Sequence, residues 1–124
     1  MQGLVLGLAL ASIGMGAVAQ VLFKLAMSGP AVRGAIDGGG VVAVVRAVAL
    51  SPGVIGGFAL YGLGTLLWLA VLSRAELSKA YPFVGLSFVI TAVMGYFLFS
   101  DTMSLSRIAG TALIVAGVVL VGRS

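Results

Sequence analysis

Four apolar runs, each long enough to cross a bilayer, take up most of this chain and leave almost nothing to cover a water-facing surface. They fall at about residues 3–27, 53–72, 77–99 and 105–121. One spanning helix needs roughly 20 apolar residues, so four spans and their connections use up nearly the whole length. A soluble domain carries about 25% charged residues. Here 8% of 124 residues are charged, 61% are hydrophobic, and the mean hydropathy is +1.27. Lipid offers no partners for open backbone groups, so each run must be helical. A closed barrel would alternate apolar and polar residues, and these runs do not. The expectation is an all-α integral membrane protein, with residues 1–124 forming one domain of four transmembrane helices.

Near the start, Ala17-Val18-Ala19 before Gln20 has the small-residue look of a signal-peptidase site. Met1 and Gln2 carry no positive charge, however, and the apolar run continues through Val21-Leu22-Phe23. A secretory signal has a basic start and a short apolar region, so residues 3–27 read as a first span. Ser28-Gly29-Pro30 breaks that helix. Residues 28–52 form the longest connection, with Arg33, Asp37 and Gly38-Gly39-Gly40 as its flexible part. Val41 to Leu50 is too short to cross a bilayer. It reads either as a short helix lying in the interface or as an early extension of the second span, interrupted at Ser51-Pro52-Gly53.

The net charge of +4 does not point to nucleic acid, because the Lys and Arg residues lie mostly at segment ends, where they meet lipid headgroups. Arg74, Lys79 and Arg123 fall on one side, and Lys24, Arg33, Arg46 and Arg107 on the other. The positive-inside rule gains no clear direction from that count, so single and dual insertion both remain open. There are no Cys and no His residues, which leaves no disulfide, no thiol or imidazole catalyst and no His/Cys zinc site. Asp37, Glu76 and Asp101 all lie in or near connections, so no paired carboxylates converge for acid–base work. No GxxxxGK[ST] phosphate loop occurs. No catalytic residue, metal or cofactor is expected.

Glycine is abundant, with 19 copies, mostly inside the spans, where small residues let helix backbones approach closely. Gly3, Gly7 and Ala11 recur on the first helix. Gly53 and Gly57 make a GxxxG on the second, a face continued by Tyr61 and Gly64. Gly110 and Gly117 share one stripe on the fourth, widened by Ala109, Ala112 and Ala116. Each stripe is either packing within one bundle or a seam between two chains, and the last helix is the strongest candidate for a seam. Four short helices enclose little volume, so a cavity between two chains is more plausible than a pore within one.

Gly16, Gln20 and Lys24 lie on one face of the first helix. Polar groups within a membrane usually face a bundle interior or a wet cavity. Gln20 and Lys24 then line a path for substrate, with Lys24 attracting an anion such as a phosphate; alternatively Lys24 snorkels to the interface. Trp68 is an interfacial anchor or a cavity wall. Tyr81 and Pro82 either shape a kinked third helix, whose freed carbonyls can line a cavity, or mark a plain helix start. Glu76 beside Lys79 offers an exposed ion pair worth little. Ser87, Thr91 and Tyr96 fit helix packing better than ligand binding.

These residues carry a family resemblance. Leu67-Trp68-Leu69-Ala70-Val71-Leu72 followed by Leu77-Ser78-Lys79-Ala80-Tyr81-Pro82 resembles the second-to-third helix junction of the drug/metabolite transporter superfamily. Phe99-Ser100-Asp101, Arg107-Ile108-Ala109-Gly110 and Ala116-Gly117-Val118-Val119 resemble its fourth-helix signature, and Gln20-Val21-Leu22-Phe23-Lys24 its Gln-x-x-x-Lys pattern. The resemblance covers nearly all of the chain outside residues 28–52. Two four-helix branches are similar. In the small multidrug resistance family, antiparallel dimers exchange protons for cationic compounds through a Glu in the first helix. Alignment on Lys24 puts Gly16 at that place, although the Gly110/Gly117 spacing is similar to that family's dimer seam. The other branch comprises EamA-like subunits of the flippase for aminoarabinose-phosphoundecaprenol, which Gln20 with Lys24, Trp68 and Ala80-Tyr81-Pro82 resemble better.

The second branch implies a membrane subunit that moves a polyprenyl-phosphate-linked sugar across the bacterial inner membrane. It implies a homodimer or a pairing with a similar small subunit. Lys24 would meet the phosphate, Gln20, Trp68 and Tyr81 would line a groove, and Pro82 would shape the third helix. Gly110, Gly117, Ala109 and Ala116 would serve dimer or helix packing. The alternatives are an exporter of small cations or metabolites and an accessory membrane subunit without transport activity.

Overall fold

A computed structural model describes residues 3–124. Its helices are α1 (Gly3–Met27), α2 (Pro30–Gly38), α3 (Gly40–Leu50), α4 (Pro52–Leu72), α5 (Leu77–Ala80), α6 (Gly85–Phe99) and α7 (Leu105–Arg123), with a 3₁₀ segment at Tyr81–Val84 between α5 and α6. Four stretches are long and apolar enough to cross a membrane: Gly3–Met27, Pro52–Leu72, Leu77–Phe99 and Leu105–Arg123. At 1.5 Å per residue α1 is about 38 Å long, more than the hydrocarbon thickness of roughly 30 Å. The expected apolar runs coincide with these helices, with α7 running two residues further than the sequence suggests.

The connection between the first two spans differs from the expectation of a flexible loop. Residues 30–38 form a helix of their own, because Pro30 occupies a first-turn position where its missing N–H costs nothing and Val32 is buried. Gly40 then turns the chain with φ +76, a conformation that suits a residue without Cβ. Helix α3 follows as a short apolar element that the extended Ser51 separates from α4. None of its residues is buried, and Val41, Val42, Val45 and Leu50 are exposed.

Helix α1 is the centre of the molecule. It packs along α4 through its longest interface and also touches the third span. Val5 and Ala9 pack with Val71 and Ala80 in one cluster, and Ile13 with Phe83 and Val118 in a second. Close approach of α1 and α4 depends on glycine. A methyl on Gly57 would lie 2.5 Å from the Phe23 ring, one on Gly53 would lie 2.9 Å from Ala26 Cβ, and one on Gly64 would lie 3.2 Å from the Ser12 carbonyl oxygen. Across that contact Ser12 Oγ donates to the Gly64 carbonyl oxygen at 2.6 Å, a buried bond.

The third span is interrupted at Pro82. Without an N–H, Pro82 cannot close the bond to Ser78, and the chain tightens into the 3₁₀ turn before α6 resumes. At the far end Ser100 caps α6 with φ 55, and the Asp101 N–H donates to the Gly95 carbonyl oxygen at 3.1 Å. The Asp101 carboxylate lies over the bare Cα face of Gly95. Ser104 then opens α7, its Oγ accepting from the Arg107 N–H, while Arg107 Nη1 donates to the Thr102 carbonyl oxygen at 2.6 Å. Lys79 turns its ammonium to the other end of the chain, donating to the Ser124 carbonyl oxygen at 3.0 Å.

Candidate functional site

Three elements enclose a groove of about 370 Å³: the middle of α1, the second half of α4 and the start of the third span. Helix α1 contributes Ser12, Gly16 and Gln20, spaced i, i+4 and i+8 and so on one face. Helix α4 contributes Tyr61, Thr65 and Trp68, again one face by helical spacing. The third span brings Tyr81, Val84 and Ser87, and the 3₁₀ turn at Pro82 sets the angle at which they arrive.

Three of the residues singled out in the sequence meet here: Gln20, Trp68 and Tyr81. Trp68 is half-buried and packs on the cluster of Val5, Ala9, Val71 and Ala80, which makes it a wall of the groove. Tyr81 is 61% exposed and borders both the groove and an adjoining outer cleft. Lys24 and Pro82 are not among the groove's lining residues. Lys24 is exposed in the last turn of α1, one turn beyond Gln20 on the same face. Pro82 instead lines an adjoining outer cleft with Glu76, Leu77, Ser78 and Tyr81.

Sequence reasoning missed Ser12, Tyr61, Thr65 and Ser87 as groove residues. The available signal was spacing. Ser12 extends the Gly16–Gln20–Lys24 stripe by one turn, and Tyr61, Thr65 and Trp68 follow i, i+4, i+7. Some of these hydroxyls already have partners in their own helices. Thr65 Oγ1 donates to the Tyr61 carbonyl oxygen at 2.9 Å and Ser87 Oγ to that of Val84 at 2.6 Å. Each hydroxyl oxygen keeps lone pairs that can accept from a ligand. The groove thus offers hydrogen bonds and aromatic faces along an otherwise apolar track. Asp37, Glu76 and Asp101 do not line it.

On α7 the small residues have the opposite surroundings to those on α4. A methyl on Gly110 or Gly117 would meet nothing within 4 Å, and Ala109 and Ala116 are exposed. This stripe faces away from the rest of its own chain, so packing within the bundle does not account for it.

Comparison with known proteins agrees with this architecture. The model of the EamA-like transporter family matches residues 4–123. A curated protein of Pseudomonas aeruginosa (strain UCBPP-PA14) named "Probable 4-amino-4-deoxy-L-arabinose-phosphoundecaprenol flippase subunit ArnE" is 48% identical over 63 residues, covering 51% of this chain and 55% of that protein. The match thus spans about half the length of this relative. Its namesake in Pseudomonas syringae pv. syringae (strain B728a) is 36% identical over 104 residues, 84% of this chain and 87% of that protein. In Pseudomonas savastanoi pv. phaseolicola the namesake is 38% identical over 84 residues, 68% and 70% of the two chains. No solved structure matches.

Proposed function

The chain belongs to the EamA-like transporter family, a multi-pass membrane protein, and from that premise we propose that it is a flippase subunit. Its cargo is a polyprenyl-phosphate-linked sugar such as aminoarabinose-phosphoundecaprenol, and its place is the bacterial inner membrane. The observation that carries this reading is the partly open groove that holds Gln20, Trp68 and Tyr81, with Lys24 one turn further along α1. A long polyprenyl tail has no need of an enclosed site. It stays in lipid while the polar head occupies the partly open groove.

Each residue has a physical part in this scheme. The Lys24 ammonium supplies a point charge and up to three donors for the phosphodiester. Gln20, Thr65 and Ser87 provide hydrogen-bond partners for sugar hydroxyls at a depth where water is scarce. Trp68 and Tyr81 offer flat faces for the sugar ring. Pro82 acts indirectly by setting the 3₁₀ turn that presents Tyr81. None of these groups forms or breaks a covalent bond, so we read the chain as a transport component and not an enzyme.

The working unit is a dimer of this chain or a pairing with a similar small subunit. The outward stripe of Gly110 and Gly117, flanked by Ala109 and Ala116, supports α7 as its seam. The test is native mass spectrometry of protein released gently from its membrane, with and without added polyprenyl-phosphate sugar. A dimer that retains the lipid and loses it on Lys24→Ala is the expected result. A monomer, or a dimer indifferent to the lipid, overturns the reading in favour of a small-solute exporter or an accessory subunit.

A further inference from the structure

A lipid headgroup that crosses a bilayer ends on the side opposite to the one where it began, and Lys24 stands at only one end of α1. Lys24 and Val5 are separated on α1 by roughly 28 Å at 1.5 Å per residue, close to the hydrocarbon thickness of roughly 30 Å. Beside Val5 lies a separate recess of about 900 Å³, whose lining includes Arg74, Lys79, Glu76, Ser78, Val121 and Ser124. The beginning of α1, the turn after α4, the start of α5 and the end of α7 meet there. We propose that this vestibule is a second phosphate-binding station, on the membrane face opposite to Lys24. This rests on the flippase reading above.

Three observations carry the assignment. The first is charge: the side chains of the recess include two cations, Arg74 and Lys79, and one carboxylate, Glu76, while the Ser124 main-chain oxygen takes one Lys79 contact. The second is donor geometry. The planar guanidinium of Arg74 can grip two phosphate oxygens at once, and Lys79 has committed one contact, to the Ser124 carbonyl oxygen at 3.0 Å, which leaves two donors. The third is continuity. Glu76 and Ser78 belong both to the vestibule and to the outer cleft, and Tyr81 belongs both to that cleft and to the groove. The walls therefore run without a break from the groove of Gln20 and Trp68 to Arg74 and Lys79. On this path a phosphate leaving Lys24 passes Tyr81 before it reaches Arg74 and Lys79.

The experiment counts bound undecaprenyl phosphate per chain by native mass spectrometry from phosphatidylcholine nanodiscs. Wild type is expected to hold two. R74Q/K79Q is expected to keep one and Lys24→Gln to keep the other, each loss reflecting at least about a tenfold weaker site. Exchanging the cations in R74K/K79R keeps the charge and should restore the count, which separates a lost site from a lost fold. Glu76→Gln, which removes the opposing carboxylate, should tighten binding at the vestibule. A parallel titration with inorganic phosphate identifies the source: if the free ion binds wild type but not R74Q/K79Q, and the lipid stays at one per chain, the site takes phosphate from solution. An unchanged lipid count in R74Q/K79Q, with Lys24→Gln still losing one, overturns the second station and leaves the flippase reading standing. Wild type that binds no undecaprenyl phosphate overturns both.

Discussion

The glycines of α4 and those of α7 look alike in the sequence and do opposite things in the molecule. Gly53, Gly57 and Gly64 lie against α1 so closely that a single methyl would press on Ala26, Phe23 or the Ser12 carbonyl oxygen. Gly110 and Gly117 meet nothing. The spans divide in the same way: 33% of the apolar window of α1 is buried, against 6% for each of the last two spans. In lipid, apolar surface gains little by leaving the solvent, so helices associate through close van der Waals packing and interhelical hydrogen bonds. The α1–α4 pair has both, and it forms the rigid wall of the groove. The outer spans are held more sparsely, by Ala80 in the Val5, Ala9 and Val71 cluster and by the Ile13, Phe83 and Val118 cluster, which leaves most of their faces free for lipid or for a second chain.

The largest effect should come from filling the inner contact. Gly64→Leu places four carbons where a single one already stands 3.2 Å from a backbone oxygen and 3.3 Å from Met15 Cβ. Overpacking of this kind costs about 3 kcal/mol or more, and here it also breaks the approach that lets Ser12 reach Gly64. Thermal unfolding in detergent, followed by Trp68 fluorescence, should show a midpoint many degrees lower. An unchanged midpoint would mean that α1 and α4 are not held by this contact.

The same difference explains what was legible in the sequence. Hydropathy alone located the spans, because bilayer thickness sets their length and Ser28-Gly29-Pro30, Ser73 and Ser100 mark where they stop. It did not reveal α2, whose Arg33, Asp37 and glycines read as a loop. Its helix depends on the start at Pro30 and on the burial of Val32, and burial is a tertiary fact. Of the groove, the large or polar residues Gln20, Trp68 and Tyr81 stood out. Ser12, Thr65 and Ser87 did not, because a small hydroxyl on an apolar helix so often bonds its own backbone, as Thr65 and Ser87 do. Spacing shows that Gly57 and Gly117 each belong to a stripe. Only the partner helix shows which stripe is occupied.

A second, smaller perturbation tests the polar half of the inner contact. Ser12→Ala keeps the helix and the packing but removes the bond to the Gly64 carbonyl oxygen. That acceptor already takes part in the helix of α4, so the loss should be about 0.6 kcal/mol, the average for interhelical bonds in membranes. A loss approaching that of Gly64→Leu would shift the weight of the α1–α4 contact from packing to hydrogen bonding. Gly57→Ala falls between the two. Its methyl meets the Phe23 ring, which is itself packed edge-to-face on Phe58 at 5.1 Å, and displacing that pair should cost about 1–2 kcal/mol.

The smallest effect on the chain's own stability is expected at the outer stripe. Gly117→Leu projects into open space and should change the unfolding free energy by no more than about 0.5 kcal/mol. Its consequence lies elsewhere. If α7 is the seam between two subunits, a leucine there holds the two backbones apart, and the native mass spectrum should change from dimer to monomer while the fold persists. A dimer that survives both Gly117→Leu and Gly110→Leu would assign this stripe to lipid and move the seam to another exposed face, with Gly3, Gly7 and Ala11 of α1 next to be tested. Gly3 and Gly7 also meet nothing within 4 Å, so the same leucine substitution reads out there in the same way, and the two stripes can be told apart by which one breaks association without touching stability.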